Sequence, residues 1–466
     1  MFIAGKTATV IGAMAIMAAG AAMSSRDAAK KAPVTFNKDI APVVYQNCAT
    51  CHRPGEVAPF SLLSYADVKK RAKQISMVTA SRFMPPWKAD SHGEFVNERR
   101  LTDAQVNLIK EWAVQGAPEG ASPKPQPPKI AEAGGLGPAD ATFEPAEPYT
   151  LGPEGDDVYR CFVIPTNYTE DRYVSAVEVK PGNRNIVHHV LVFLDTTGTA
   201  RKLAGKDGQP GYTTFGGVGF APSGGLGGWA PGNMPHPLPP GVGQYLPKGS
   251  DIVLQVHYHR SGKQETDRTK IGVYFCKGPV DKRVRSSMVI NPFIVIPAGD
   301  ANYKLQANLP VPGDVTVLNV TPHMHLLGKE MTVTAALPDG SKKQLVKIPD
   351  WDFNWQTTYT FKEPLKLPKG SNVSLAARFD NSGSNPRNPS NPPKLVTFGE
   401  QTTNEMCIAF VGYTVDSEHL TKGIVGEGMR EFGGGRRRQD GGRLSPEQRE
   451  RLQNLLKQFT KGSQGQ

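Results

Sequence analysis

No basic stripe interleaved with aromatics runs through this chain, although its formal charge is +11. A good part of that charge sits near the C-terminus, in GGGRRRQDGGR, a basic, glycine-rich stretch. The balance therefore does not read as a nucleic-acid surface. No segment after the first residues approaches the length of a membrane span. Charged residues make up only 21%, whereas Gly (49) and Pro (40) are plentiful. That composition excludes a helical bundle and suits β-rich domains with many turns. At 466 residues the chain is too long for one ordinary core, so about two to four domains are expected.

Residues 1–25, MFIAGKTATVIGAMAIMAAGAAMSS, carry one lysine, then an apolar stretch, then small residues around Ala19–Ala22. This is the layout of a secretory signal peptide, and the run is short and alanine-rich for a stable span. The expectation is a periplasmic or otherwise exported protein with no integral span once the leader is cleaved.

Two of the five cysteines lie in CATCH, where Cys48, Cys51 and His52 form the c-type haem attachment pattern. The thiols of Cys48 and Cys51 would add to the haem vinyls, and His52 would sit under the iron as an axial ligand. A zinc site would want a second Cys/His pair nearby, and a redox CxxC would want a βαβ context. Neither is visible. For the other axial position SRFMPPWKAD offers Met84 on a proline-stiffened loop. Met77, expected in a helix and in the core, and His92 are the alternatives. LTDAQVNLIKEWAVQGAP has a capping box, Thr102 with Gln105. Val106, Ile109, Trp112 and Ala113 follow at helical spacing, and Gly116 and Pro118 end the helix. Residues 34–118 thus resemble a class I cytochrome c, with one haem c, on CATCH, the Met loop and the terminal helix.

Residues 119–147 read as a Pro/Ala/Gly-rich flexible linker, long enough to let a haem domain swing. Beyond it come short alternating runs: RYVSAVEVK, DIVLQVHYH, KIGVYF, VTVLNVTPHMH, EMTVTAALP, NVSLAARF and EMCIAFVGYTV. Gly, Pro, Asn and Asp separate them, as in antiparallel β-sandwiches. Two such domains are expected, at 148–288 and 289–418, with the Gly/Pro-rich loop 197–245 ordered against the first. The tail, 419–466, holds one more short helix. SPEQRERLQNLLKQF has Ser445 as N-cap and Leu452, Leu455, Leu456 and Phe459 on one face.

Six histidines fall in tight groups in the β region. In IVHHVLVF, His188 and His189 point to opposite faces of a regular strand, so a local twist is needed to aim both at one ion. VHYH (His257, His259) and HMH (His323, His325) place two rings on one face, a spacing that can chelate a metal. A third ligand for the His188–His189 pair would come from the VHYH strand. His323 and His325, with Met406 from TTNEMCIAF, form a His₂Met set that favours copper, because thioether sulfur suits Cu(I). His92, His236 and His419 read as solvated or structural.

In the order IVHHVLVF, LPPGVG…LQVHYH, TPHMHLLGKEM and NEMCIAF, residues of about 155–415 resemble the copper type II, ascorbate-dependent monooxygenases. This family includes the peptidylglycine α-hydroxylating and dopamine β-monooxygenases. The resemblance implies two coppers in two β-sandwich (jelly-roll-like) domains. His188, His189 and His257 would hold the electron-transfer copper, and His259 would lie outside it. His323, His325 and Met406 would hold the catalytic copper that binds O₂. Peptide-hydroxylating members grip a substrate carboxylate with Arg and Tyr where this chain has Thr321 and Phe410, so a peptide C-terminus is not expected. The resemblance also implies a disulfide between Cys161 and Cys276, leaving Cys407 without a partner.

The expected fold is thus multidomain, a small all-α cytochrome c domain followed by two antiparallel β-sandwiches. The expected function is a haem- and copper-containing hydroxylase. It would use O₂, a small organic substrate and an external electron donor, with the haem supplying or relaying electrons to the coppers. The alternative is a non-catalytic electron-transfer or copper-binding protein.

Overall fold

A computed structural model of the chain describes residues 32–429 apart from 57, 122, 128–135, 215–216, 232 and 400. The leader at 1–25 and the expected tail helix lie outside the described residues. What is described is mostly β, 36% strand against 12% helix. Four principal sheets, of five, five, four and four strands, dominate.

The first two sheets share a core. One runs, in spatial order, Ala141–Phe143, Lys270–Phe275, Arg172–Lys180, Val242–Leu246 and Lys282–Arg283. The other runs Tyr212–Thr213, Val158–Pro165, Asp251–Tyr258, Val187–Asp195 and Gly224–Trp229. Alternation sends Val174, Ile271 and Val273 from one sheet against Val190, Val192, Leu254 and Val256 from the other. The strand Asp251–Tyr258 is buried at every position. Its even-numbered residues face this core, while Val253 meets a second cluster with Cys161, Ala200, Tyr212 and Val218. Ala200, Tyr212 and Val218 belong to the Gly/Pro-rich loop, which folds over the sheet's outer face.

The last two sheets repeat the scheme. Arg285–Ile290, Ile408–Val415, Val315–His323 and Tyr359–Leu367 form one. Tyr303–Pro310, Asn372–Phe379, Gly328–Ala336 and Lys342–Ile348 form the other. Val317, Val320, Ala409 and Val411 meet Val333, Val346, Leu375 and Phe379 between them. The two sheet pairs are clasped by the fully buried Glu418, whose carboxylate accepts from Arg283 and Arg285 at 2.9 Å each.

The N-terminal part corrects the expected fold class, because no all-α cytochrome c domain is present among the described residues. Its helices are few and short: Ala41–Asn47, Tyr65–Lys70, Ala72–Ala80 and Asp103–Val114. They enclose a small cluster around Phe36, Val44, Ile75, Ile109 and Trp112. The last helix carries the Thr102–Gln105 capping box, with both bonds made. Between the third and fourth helices the chain leaves this cluster. Pro85 and Pro86 cannot continue a helix, and the residues that follow form an extended strap on the last sheet pair. Ala89 and Phe95 are buried in that pair's core, with Trp87 packed against it. Phe95 bridges to Phe361, and Val96 N–H donates to Thr360 O at 2.8 Å. Asp90 N–H donates to Lys347 O at 2.8 Å, and Lys88 pairs with Asp350 at 2.9 Å. On the other side Arg184 of the first unit reaches Glu56 at 3.2 Å. The helical segment is therefore held by both sheet pairs, not swung from a linker.

Two smaller corrections follow. Met77 is 63% exposed, because its helix buries Ala72, Ile75 and Thr79 instead. Cys161 and Cys276 are both free thiols on different sheets. Cys161 turns outward to Thr214 and Gln255, while Cys276 contacts Val242 O, so no disulfide joins them.

Candidate metal centres

The doubled histidine is made usable by a β-bulge. Val187 pairs with Tyr258 and His189 pairs with His257, which leaves His188 as an extra, unpaired residue. The bulge supplies the twist that a regular strand lacks, and both rings reach one side. His188 Nδ1 and His189 Nδ1 lie 3.1 Å apart, and His257 Nδ1 lies 3.3 Å from His189 Nδ1. Among the described residues these three make a group whose ligand atoms all fall within 4.8 Å of one another.

The far side of His257 is held by a residue the sequence did not flag. Asp157 Oδ2 lies 2.8 Å from His257 Nε2, and its Oδ1 lies 3.1 Å from Nδ1 of the exposed His259. A carboxylate on Nε2 keeps the proton there and leaves the Nδ1 lone pair for a metal. Tyr159 stacks on the same ring at 4.2 Å. Burial, then the neighbouring His257, pushes His188 down to about 4 and His189 well below the usual imidazole range. At neutral pH these rings are uncharged and free to donate, the form that binds metal.

The second group uses the opposite ring nitrogens. His323 Nδ1 meets Gln356 Oε1, and His325 Nδ1 meets Asn404 O at 3.1 Å. With acceptors on both Nδ1 atoms, the Nε2 lone pairs remain. The strand Val315–His323 runs against Ile408–Val415 with His323 opposite Ile408, so His325 lies just past the end of one strand and Met406 just before the start of the other. Glu405, fully buried, ties the two segments. Its Oε2 accepts from His325 N–H at 2.9 Å and Met406 N–H at 3.2 Å, and its Oε1 accepts from Leu327 N–H at 2.6 Å. Burial raises Glu405 to about 8 against the downward pull of these donors. Two imidazoles and a nearby thioether suit copper.

The sheet face around His323 carries Thr321, Phe410 and Met288. Phe410 stands opposite Thr321 on one neighbour and Met288 on the other, and Thr321 Oγ1 bonds Thr358 Oγ1 at 2.8 Å.

Comparison with known proteins now bears on the second group. Residues 286–422 match the family model described as copper type II ascorbate-dependent monooxygenase, C-terminal domain. The chain is similar there to a copper type II monooxygenase C-terminal domain. It is 24% identical over 294 residues to DBH-like monooxygenase protein 1 of Homo sapiens, and 21% identical over 284 residues to the protein of that name from Gallus gallus. Each match covers 56% of this chain and 45% of the relative, so the chain spans about half the length of the curated relatives it matches. Similarity to solved structures, such as PNGF-II at 10% identity over 60% of this chain and 66% of that one, has a TM-score of only 0.24 and carries no argument.

The matched stretch contains His323, His325 and Met406, and the other three histidines lie on the preceding sheet pair. No helix among the described residues is long and apolar enough to cross a membrane. In CATCH, His52 N–H donates to Cys48 O at 2.9 Å, and His52 Nδ1 meets Phe60 O at 3.2 Å. That bond fixes the orientation of the His52 ring through its Nδ1. Burial pushes the Cys48 thiol up to about 12. Cys51 borders a cavity of about 240 Å³ whose opposite wall includes Arg184, Trp229 and Asn233 of the first unit. Met84 N–H bonds Val78 O at 3.0 Å and begins the strap. His419 is half-buried, not solvated, and pairs with Asp281 at 2.8 Å.

Proposed function

We propose that the protein is an exported, copper-dependent monooxygenase that hydroxylates a small, uncharged organic substrate, with electrons fed through a c-type haem. The observation that carries this reading is the convergence of three imidazoles, His188, His189 and His257, whose ligand atoms lie within 4.8 Å of one another. The copper family of residues 286–422 supports the second half of it. The leader-like residues 1–25 support export.

The overall change is R–H plus O₂, two electrons and two protons, giving R–OH and water. His188, His189 and His257 would hold an electron-transfer copper, and His323, His325 and Met406 would hold a second. Copper in these sets supplies one-electron redox chemistry and dioxygen activation. A haem bound through Cys48, Cys51, His52 and Met84 would supply a built-in one-electron carrier in the role that ascorbate plays for the family.

The chain's own residues do the rest. Asp157 holds the proton on His257 Nε2. Gln356 and Asn404 fix the tautomers of His323 and His325, so that Nε2 faces the reacting side. Glu405 keeps Met406 in register with His325. Thr321, Thr358, Phe410 and Met288 present hydroxyls and apolar surface where a carboxylate grip would need a cation, which favours a neutral substrate.

The test is direct. Purified, matured protein is analysed for metals, and its haem is reduced without air, copper added and oxygen admitted. The expected result is one haem and two coppers, with haem reoxidation that depends on copper and slows in His188→Ala. A haem that stays reduced with copper present, or reoxidises equally fast in the variant, refutes the relay. Copper binding without any copper-dependent hydroxylated product refutes the oxygenase and leaves an electron carrier.

A further inference from the structure

The two histidine groups are joined by one aromatic ring. Phe353 lies parallel to His188, with ring centroids 5.4 Å apart and planes at 17°, and presents itself at 88° to His325 with centroids 5.9 Å apart. His188 belongs to the first sheet pair, and His325 to the second. The separation of those two imidazoles therefore cannot exceed the sum of the two distances.

The segment that carries Phe353 is braced from several sides. Trp351, buried, donates its indole N–H to His325 O at 3.0 Å. Trp355 N–H donates to Asp352 O at 3.0 Å, which closes a tight turn around the phenyl ring. Gln356 Nε2 donates to Phe353 O at 3.0 Å while its Oε1 meets His323. Thr357 reaches across and donates to Asn233 of the first unit. One loop, residues 351–358, thus touches His188, His323 and His325 and clasps both halves of the molecule.

We propose that Phe353 is a positioning residue that fixes the distance between the two metal centres. The packing contacts of its phenyl ring are lost if the halves part. With metals bound, an electron passing between the two centres would have the Phe353 ring between the His188 and His325 imidazoles. Closeness of the halves is built into the resting molecule by this side chain, with the Thr357–Asn233 bond as its polar companion.

The experiment uses the full chain loaded with Cu(II). In frozen solution the wild-type electron paramagnetic resonance spectrum should show dipolar broadening between the two ions. Phe353→Ala, with both coppers still bound, should lose that broadening, whereas Phe353→Tyr should keep it. Unchanged broadening in Phe353→Ala, or loss of copper from the His188 group alone, overturns the proposal. The second measurement needs no metal. In Phe353→Leu, which fills most of the volume but lacks the ring, imidazole proton shifts of both His188 and His325 should move. A change confined to one of the two rings also overturns it.

Discussion

Glu405 Oε2 accepts the backbone N–H of His325 at 2.9 Å and that of its own neighbour Met406 at 3.2 Å. A single buried carboxylate thereby sets the spacing between an imidazole and a thioether that lie 81 positions apart in the chain. Glu405→Gln replaces one acceptor oxygen with an amide that faces backbone donors. It should destabilise the fold by about 1–3 kcal/mol, the usual cost of leaving buried backbone donors unsatisfied. Chemical denaturation gives the number. A variant as stable as wild type, with copper binding unaltered, would show that Glu405 positions nothing.

Asp157 acts on the first centre from behind. Asp157→Asn keeps the size but can no longer hold the His257 tautomer through a charged acceptor. Copper affinity of the three-histidine group should fall about 10- to 100-fold, the usual effect of removing the partner of a metal-ligating histidine. Competition titration with a chelator measures this directly, and the second centre serves as the internal reference.

The strap predicts a long-range stability effect. Phe95, only 4% exposed, packs against Tyr359 and Phe361 with centroids 5.3 and 5.1 Å away. Phe95→Ala should cost about 3–5 kcal/mol, and the loss should appear as local opening of the sheet Arg285–Ile290 to Tyr359–Leu367. Hydrogen exchange can locate it. Opening confined to the N-terminal helices would contradict the observed packing.

Met406 separates catalyst from carrier. Met406→Ala should abolish product formation while the His188, His189 and His257 centre still binds copper and still accepts electrons. Product assay and copper stoichiometry on the same sample decide it. Retained hydroxylation would remove Met406 from the catalytic set.

The strands and the histidine groups were legible because period-two alternation and His-x-His spacing are local patterns. The bulge at His188 could be foreseen as a need, since adjacent residues on a strand face opposite ways, but not as a register. Asp157, Gln356, Glu405 and Phe353 gave no signal, because each acts through a strand register or loop fold that joins distant stretches. The same blindness explains the errors. Trp87 and Ala89 read as part of a Met loop, and Phe95 as part of the haem domain, because nothing local says that they insert beside Tyr359. The resemblance implied a Cys161–Cys276 pair, and nothing local reveals that Cys161 turns outward from its sheet.

The strap has a practical meaning for anyone trimming this molecule. Cutting before residue 148 to isolate the β-rich portion would strip Trp87, Ala89 and Phe95 from the flank of Tyr359 and Phe361 and leave an oily trench open to water. Such a shortened polypeptide should clump, or demand the missing peptide in trans. The front of this sequence is less a passenger than a keel for its far end.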